Sequence, residues 1–344
     1  MTDERSPRPR LAITMGDPAG IGPEIVLKGL AADGSERPYR PLLVGSREVF
    51  DQALGHIGLD LRLRAVEPAS GQDSPDPTVV DIVDLGPVPG LRHGVVAPEH
   101  GEAAVRAIKT AAELALAGVV DGIVTAPINK QALKAAGSPY PGHTEMLAVL
   151  LGRDPAEVVT LFVLDRMKVF FLTRHLSLAD AITWLTVDRV VAGIERVHRL
   201  SRVIGVPRPH IALAAVNPHG GEDGLHGTEE NRILAPAVAM AREQGIDVVG
   251  PMPADSVYYQ SRQGRYDAVI SPYHDQGHIA TKTVDFFGTV SATLGLPVIR
   301  TSVDHGTAFD IAGTWVADGR GQVAACRVAA ELARPVLADA KAGG

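Results

Sequence analysis

Leu11-Ala12-Ile13-Thr14-Met15-Gly16-Asp17-Pro18-Ala19-Gly20-Ile21-Gly22-Pro23-Glu24 is the stretch on which the fold turns. An apolar run, Leu11–Met15, enters a glycine-rich turn, and a helix with proline at an early position leaves it. Such a turn is expected to offer backbone N–H groups to an anion. The simpler reading is a tight turn that needs glycine for positive φ. A dinucleotide fingerprint requires a third glycine where Ile25 stands and an acidic residue at the end of the next strand, where Gly45 and Ser46 stand. The pattern is therefore strand, turn and helix without the fingerprint of the Rossmann fold.

The same alternation continues outward. Pro41–Val44, Val79–Val83, Gly122–Thr125, Ile211–Val216, Asp247–Val249 and Ala268–Ile270 are short apolar or β-branched runs closed by Gly, Pro, Asp or Asn. Runs of this kind read as parallel strands buried on both faces. Glu102–Leu116 reads as an amphipathic helix, with Val105, Ile108, Ala112 and Leu116 on its apolar face. Strand–helix alternation makes the chain α/β. Val158–Leu164 and Met167–Leu172, separated by Asp165–Arg166, read as a hairpin, so the sheets are mixed. The expected domains are residues 1–125 with 292–344, and 126–291 around the hairpin. Glu67–Thr78 is expected as a surface loop and Asp339–Gly344 as a frayed tail.

Composition narrows the function. The chain has 344 residues, 33 Lys+Arg against 40 Asp+Glu, and a net charge of -7. It lacks the basic footprint of a nucleic-acid binder. Its single cysteine, Cys326, is expected as a small core residue in a reducing, cytoplasmic protein. Met1–Arg10 has no apolar leader and no segment reaches about 18 consecutive apolar residues, so neither secretion nor a membrane span is expected.

Three of the 12 histidines sit just beyond strand ends: His175, His219 and His274. Ligands of open α/β sheets bind outside the carboxyl ends of strands, so these imidazoles are candidate ligands of a zinc-like ion that polarises a hydroxyl or carbonyl. His274 and His278 form an i,i+4 pair, but no HExxH occurs and a metalloprotease is disfavoured. Asp275 and Asp255 are candidate outer carboxylates. Gly142-His143-Thr144-Glu145 opens an apolar helix suited to an anion. Lys282 and Arg300, the latter ending the apolar run Leu294–Ile299, suit phosphate and carboxylate. The polar Asn217–Gly224 segment, followed by a helix capped near Thr228, reads as a site loop.

Taken together, the Gly16–Glu24, Gly142–Glu145, Asn217–His219, Tyr273–Gly277 and Arg300–Ala308 motifs resemble the 4-hydroxythreonine-4-phosphate dehydrogenase family, over Leu11 to Pro335. The resemblance implies an isocitrate/isopropylmalate dehydrogenase-like two-domain fold with a cleft between the domains. It also implies a homodimer with shared active sites, with residues 126–291 as the dimerisation and metal/substrate domain. Its metal ligands would be His175, His219 and His274, with His274 reaching across from the partner; zinc is common, with Mg2+ or Co2+ as alternatives. Substrate contacts would be His143, Thr144, Lys282, Ser291 and Arg300. Asp304, His305, Gly306, Thr307 and Ala308 would hold the adenine end of NAD or NADP.

The implied reaction oxidises and decarboxylates 4-phosphooxy-L-threonine to 3-amino-2-oxopropyl phosphate, in pyridoxal 5'-phosphate biosynthesis, with Asp275 and Lys282 as candidate catalytic side chains. Ser291 stands where that branch usually has Asn, and Arg174 where Thr is common. His278 and Ala126-Pro127-Ile128-Asn129-Lys130 look more like the sister branch acting on 4-phospho-D-threonate or 4-phospho-D-erythronate. A zinc hydrolase using the same histidines, or a non-catalytic phosphate-binding protein, are the competing expectations.

Overall fold

The structure, a computed structural model, describes residues 8–67, 74 and 76–342. Most of the expected loop within Glu67–Thr78, and the last two residues of the expected tail, lie outside the described residues. In chain order the elements are β1 (Arg10–Thr14), α1 (Gly22–Asp33), β2 (Arg40–Gly45), α2 (Arg47–Ile57), β3 (Arg62–Ala65), β4 (Val79–Asp84), α3 (Pro98–Leu116), β5 (Gly122–Thr125), α4 (Lys130–Ala135) and α5 (His143–Leu150). There follow β6 (Val159–Leu164), β7 (Met167–Phe171), α6 (Leu178–Trp184), α7 (Val187–Val203), β8 (Ile211–Ala214), α8 (Ala235–Glu243), β9 (Val248–Met252), α9 (Ala254–Arg262), β10 (Ala268–Ser271) and α10 (His274–Val284). The last are β11 (Val290–Leu294), β12 (Ile299–Val303) and α11 (Arg320–Ala342), which carries the chain as a helix through the first part of the expected tail.

Two compact units result, Met1–Val158 with Val290–Gly344, and Val159–Thr289. The units part at Val158 and Val290, whereas the sequence suggested 126 and 292. The segment 126–158 stays with the larger unit because Leu133, Met146, Leu147 and Leu151 are buried in the same core as Ala107, Ile108 and Ala111 of α3. Leu116, expected on the apolar face of that helix, ends it and is 59% exposed.

In the larger unit the strand order is β3-β4-β2-β1-β5-β12-β11. All neighbours are parallel except β11 and β12, which form an antiparallel hairpin. This order, with its antiparallel member, is not that of a dinucleotide-binding Rossmann sheet. Leu11, Ile13 and Met15 point into one core with Ile25, Phe50 and Cys326. Ala12, Leu42 and Val44 point into the other, under α3. Both faces of β1 and β2 are covered by helices, which is why these strands are apolar at successive positions. Burial pushes the Cys326 thiol up to about 12, as befits a core residue.

The glycine-rich turn turns inward. Asp17 N donates to Pro127 O at 2.9 Å, Gly20 N to Asp17 O at 3.1 Å, Ile21 N to Thr307 O at 3.1 Å, and Ala19 N to Asp17 Oδ1 at 2.9 Å. These groups are spent inside the fold and not offered to an anion, which favours the tight-turn reading. Gly16 has φ +73°, and a Cβ there would lie 2.5 Å from Pro127 O. Glycine is required here for conformation and close approach.

In the smaller unit the order is β6-β7-β10-β8-β9. The expected hairpin is β6–β7, antiparallel, and the rest are parallel. No helix among the described residues is long and apolar enough to cross a membrane.

Candidate functional site

The smaller unit gathers imidazoles because of its strand order. β7, β10 and β8 are parallel neighbours, with Phe171 opposite Ser271 and Ile270 opposite Leu213. Their carboxyl ends therefore open on the same edge. Thr173 Oγ1 and the Thr173 N–H both donate to Pro272 O, at 2.9 and 3.2 Å, keeping the two exits side by side. His175 and His274 lie a few residues past these ends, with ring centroids 6.0 Å apart. Two imidazoles on one zinc-sized ion, each nitrogen about 2.0–2.1 Å from it, have ring centres roughly 5–6 Å apart. The pair fits such an ion. Both line a cavity of about 270 Å³ with Arg174, Leu178, Tyr273 and Asp275.

His274 is tightly oriented. Its Nδ1 lies 2.6 Å from Asp275 Oδ1, which leaves Nε2 as the outward donor. Its ring stacks on His278 at 3.6 Å, and His278 in turn packs on Phe162 and Phe171 at 4.1 and 5.0 Å. Burial, then the nearby His274 and Lys282, brings His278 down to about 3, so its ring is neutral. Lys282 continues the same helical face, and its Nζ lies 5.3 Å from the Phe286 ring centre. Arg174 hydrogen-bonds Thr160 on β6.

His219 does not join this pair in the chain. It sits in the loop after β8 with Glu222 and His226, and the charge of Asp255, in the first turn of α9, acts on it. Among the described residues, no set of three potential ligands includes His175 or His274.

The larger unit holds the second group of expected residues. Antiparallel pairing sets Thr293 opposite Arg300 and Ser291 opposite Ser302, so these four side chains share one face. Arg300, expected at the end of an apolar run, lies inside β12; Leu294–Ile299 spans the turn of a second hairpin. Its guanidinium is 4% exposed and donates to Thr125 Oγ1 at 2.6 and 3.2 Å and to Thr293 Oγ1 at 3.1 Å. Burial lowers it to about 10, opposed by Glu145 and Asp304, so it remains a cation at neutral pH. His143, at the start of α5 with Thr144, has its Nε2 sealed from solvent with no hydrogen-bond partner. Desolvation first, and Arg300 second, hold His143 well below the usual range. Lys130, His143, Ser302, Asp304, His305 and Gly306 line a cavity of about 390 Å³. That is within the roughly 300–1,000 Å³ of small-molecule pockets. Of the expected cofactor loop, Thr307 O holds the glycine turn, His305 Nδ1 lies 3.0 Å from Gly306 O, and Ala308 has φ +43°.

Several residues at these sites escaped the sequence reading. Gln276 Nε2 donates to Ala215 O at 2.7 Å and its Oε1 accepts from Tyr258 at 3.1 Å, fixing α10 against β8 and α9. A Cβ on Gly277 would lie 2.6 Å from Phe171 and Ser271 atoms, so only glycine lets α10 approach that closely. Glu222 and His226 carried only the general signal of polar, glycine-rich loops, and Lys130 only its place in the Ala126–Lys130 stretch.

Fold and sites together define a two-unit α/β protein without a dinucleotide fingerprint, with an imidazole cluster in one unit and, in the other, a buried arginine and a polar cavity. The chain belongs to the PdxA family: the family profile described as "Pyridoxal phosphate biosynthetic protein PdxA" matches residues 37–329. It is 44% identical over 328 residues to the D-threonate 4-phosphate dehydrogenase of Cupriavidus necator, covering 94% of this chain and 97% of that one. Among solved structures it is similar to a 4-hydroxythreonine-4-phosphate dehydrogenase from Klebsiella pneumoniae, with TM-score 0.87 and 42% identity, covering 96% of this chain and 100% of that one. A protein of the same description from Burkholderia phymatum gives TM-score 0.83 and 43% identity, covering 95% and 98%.

Proposed function

We propose that the chain is a dehydrogenase that oxidises the C3 hydroxyl of a 4-phosphorylated four-carbon acid, with D-threonate 4-phosphate as its substrate. Hydride leaves C3 for NAD or NADP and the hydroxyl proton is released; the resulting β-keto acid loses its carboxyl as CO2, and C2 takes up a proton. The observation that carries this reading is Arg300, a buried cation whose hydrogen-bond partners are two threonine hydroxyls. A desolvated guanidinium with donors to spare calls for an anion. His143, which lines the cavity with Lys130 and Ser302 and whose charge state Arg300 influences, supplies a further polar partner for that ligand. Lys282, on the α10 face that carries His274 and His278, offers a second cation to phosphate or carboxylate.

The Ser302–Gly306 lining of the cavity supports Asp304, His305, Gly306, Thr307 and Ala308 as the loop for the adenine end of NAD or NADP, whose nicotinamide would supply the hydride acceptor. His175, His219 and His274 would hold a divalent ion, with zinc favoured by an imidazole donor set, and such an ion polarises the hydroxyl and ketone oxygens. Asp275 orients His274 and, with Lys282, would exchange a proton at the site. Leu176, Leu178, Ile279 and Phe286 are 46%, 56%, 63% and 50% exposed on the unit that carries the imidazole cluster, which supports a second copy covering this surface and sharing the site.

The second reading, 4-phosphooxy-L-threonine as substrate, is favoured by the names of the similar structures. NAD(P) reduction by the purified protein, with added divalent ion and each acid in turn, separates the two. A higher kcat/KM for D-threonate 4-phosphate is expected. A higher value for 4-phosphooxy-L-threonine replaces the first reading by the second, and no reduction with either acid removes both.

A further inference from the structure

The segment that follows β5, Ala126-Pro127-Ile128-Asn129-Lys130, delivers a lysine from a firmly held backbone. Asn129 Oδ1 accepts the N–H groups of Gln131 and Ala132 at 2.8 and 3.0 Å, capping α4. Pro127 O accepts the Asp17 N–H at 2.9 Å. A Cβ on Gly101 would collide with Ala132 O, so α4 lies directly on α3. The Lys130 side chain leaves this support exposed and, among the described residues, has no ion-pair or hydrogen-bond partner. It lines the cavity of about 390 Å³ shared with His143 and Ser302–Gly306, and no other lining residue is Lys or Arg.

A dinucleotide brings two negative charges on its diphosphate, and the usual places for meeting them are already engaged in this fold. The glycine turn gives its N–H groups to Pro127, Asp17 and Thr307. Lys28 of α1 is held by Glu24 Oε1 at 2.7 Å and by the carbonyls of Trp315 and Ala317, each at 2.9 Å. Residues 301–319 contain Asp304, Asp310 and Asp318 but no Lys or Arg, so the loop read as holding the adenine end adds negative charge and no such cation. His143, on the same cavity, is held neutral by burial. Arg300 and Lys282 serve the substrate's anions in the proposed reaction. Lys130 is the cation left for the diphosphate.

We propose that Lys130 binds the diphosphate of NAD or NADP, in place of the backbone cradle that a dinucleotide fingerprint provides. An ammonium on a flexible stem is a point charge that can follow either phosphate. This inference rests on the reading of Asp304–Ala308 as the cofactor loop.

The test measures equilibrium binding to the full-length protein without turnover, using NAD(P)H fluorescence and calorimetry with ADP-ribose and with adenosine. Lys130→Met keeps the stem and removes the charge. It is expected to weaken NAD(P)H and ADP-ribose by about 10- to 100-fold, the worth of one hydrogen bond to a charged group, and adenosine by less than about threefold. Lys130→Arg should recover most of the loss, and added salt should weaken NAD(P)H binding more in wild type than in Lys130→Met. Gly306→Val is the control for the loop: a Cβ there meets nothing within 4 Å, so the fold is spared while the loop is obstructed, and NAD(P)H and adenosine should weaken together. Circular dichroism checks the fold of each variant. Unchanged NAD(P)H affinity in Lys130→Met overturns the proposal, as does an equal loss for adenosine, or a change confined to the KM of the phosphorylated acid. In each of those cases a loss of NAD(P)H binding in Gly306→Val leaves the loop reading standing, whereas wild-type binding in Gly306→Val removes that reading too. A wild-type protein that binds neither NAD(P)H nor ADP-ribose removes both.

Discussion

Two side chains in the larger unit concentrate the chemistry of single residues. His143 is held neutral by burial and by the Arg300 charge, so its folded pKa lies well below 6.5. Unfolded, the same imidazole titrates near the ordinary value of about 6.5. As pH falls below that value the unfolded chain takes up a proton that the folded chain refuses, and stability falls with it, by up to about 1.4 kcal/mol per pH unit for one group. Above the unfolded value the effect vanishes. Urea unfolding of wild type and His143→Gln at pH 7.5 and pH 5.5 should show a smaller loss on acidification in the variant; equal losses would mean that His143 is not desolvated. Ser291 stands opposite Ser302 on the face that carries Arg300. Asn there has longer reach and offers both a donor and an acceptor. Ser291→Asn should shift the kcat/KM ratio between 4-phosphooxy-L-threonine and D-threonate 4-phosphate by about tenfold or more, since hydrogen bonds read by a site discriminate strongly. An unchanged ratio places Ser291 outside the discriminating contacts.

At the scale of elements, α10 is the part on which the imidazole cluster depends. Gly277 lets the helix sit against Phe171, Ser271 and Val169, and Gln276 ties its first turn to β8. Gly277→Ala should cost about 1–3 kcal/mol through overpacking. It should also weaken metal retention by moving His274 relative to His175. Chemical denaturation and metal analysis of the purified variant read the two effects, and wild-type values in both would show that the helix has room to spare. The elements also explain what was readable. Strands buried on both faces announce themselves as apolar runs, and β1, β2, β4, β5, β8 and β10 were legible on that signal; β9, a half-buried edge strand, was legible from its short β-branched run. β3, Arg-Leu-Arg-Ala at Arg62–Ala65, was not, because an edge strand of four residues with two exposed arginines offers no continuous apolar run. β11 and β12 were missed for a functional reason. Ser291, Thr293, Arg300 and Ser302 put polar groups on one face of the strand pair, with Ser302 lining a cavity, and this breaks the hydrophobic period.

For the whole molecule, the proposed dimer carries its own prediction. An isologous interface delivers the same surface of each copy to the other. If each chain's His274 serves its partner's site, as the family resemblance implies, mixing inactive His175→Ala and His274→Ala chains under exchange restores part of the activity, because one hybrid site then has every ligand intact; if the same-chain pair 6.0 Å apart is the site, no activity returns. No recovery, with subunit exchange shown independently by mass-tagged chains, would place each site within one chain. A stable dimer should appear in analytical ultracentrifugation, and Ile279→Asp with Phe286→Asp should shift it toward monomer. The amino-acid sequence by itself determined the α/β class, the departure from the dinucleotide fingerprint, the first hairpin and the histidines at strand ends, because these depend on local period, turn chemistry and position relative to a strand. Tertiary structure alone decided that the Gly16 turn faces Pro127 and Thr307 instead of an anion, since which N–H groups are already spent depends on segments more than 100 residues away. It likewise decided that His175 meets His274 through adjacent parallel strands, and that His219 is drawn to Glu222 and His226 by a loop wound around Glu230. Those pairings come from strand order and backbone closure, which no local pattern of residues encodes.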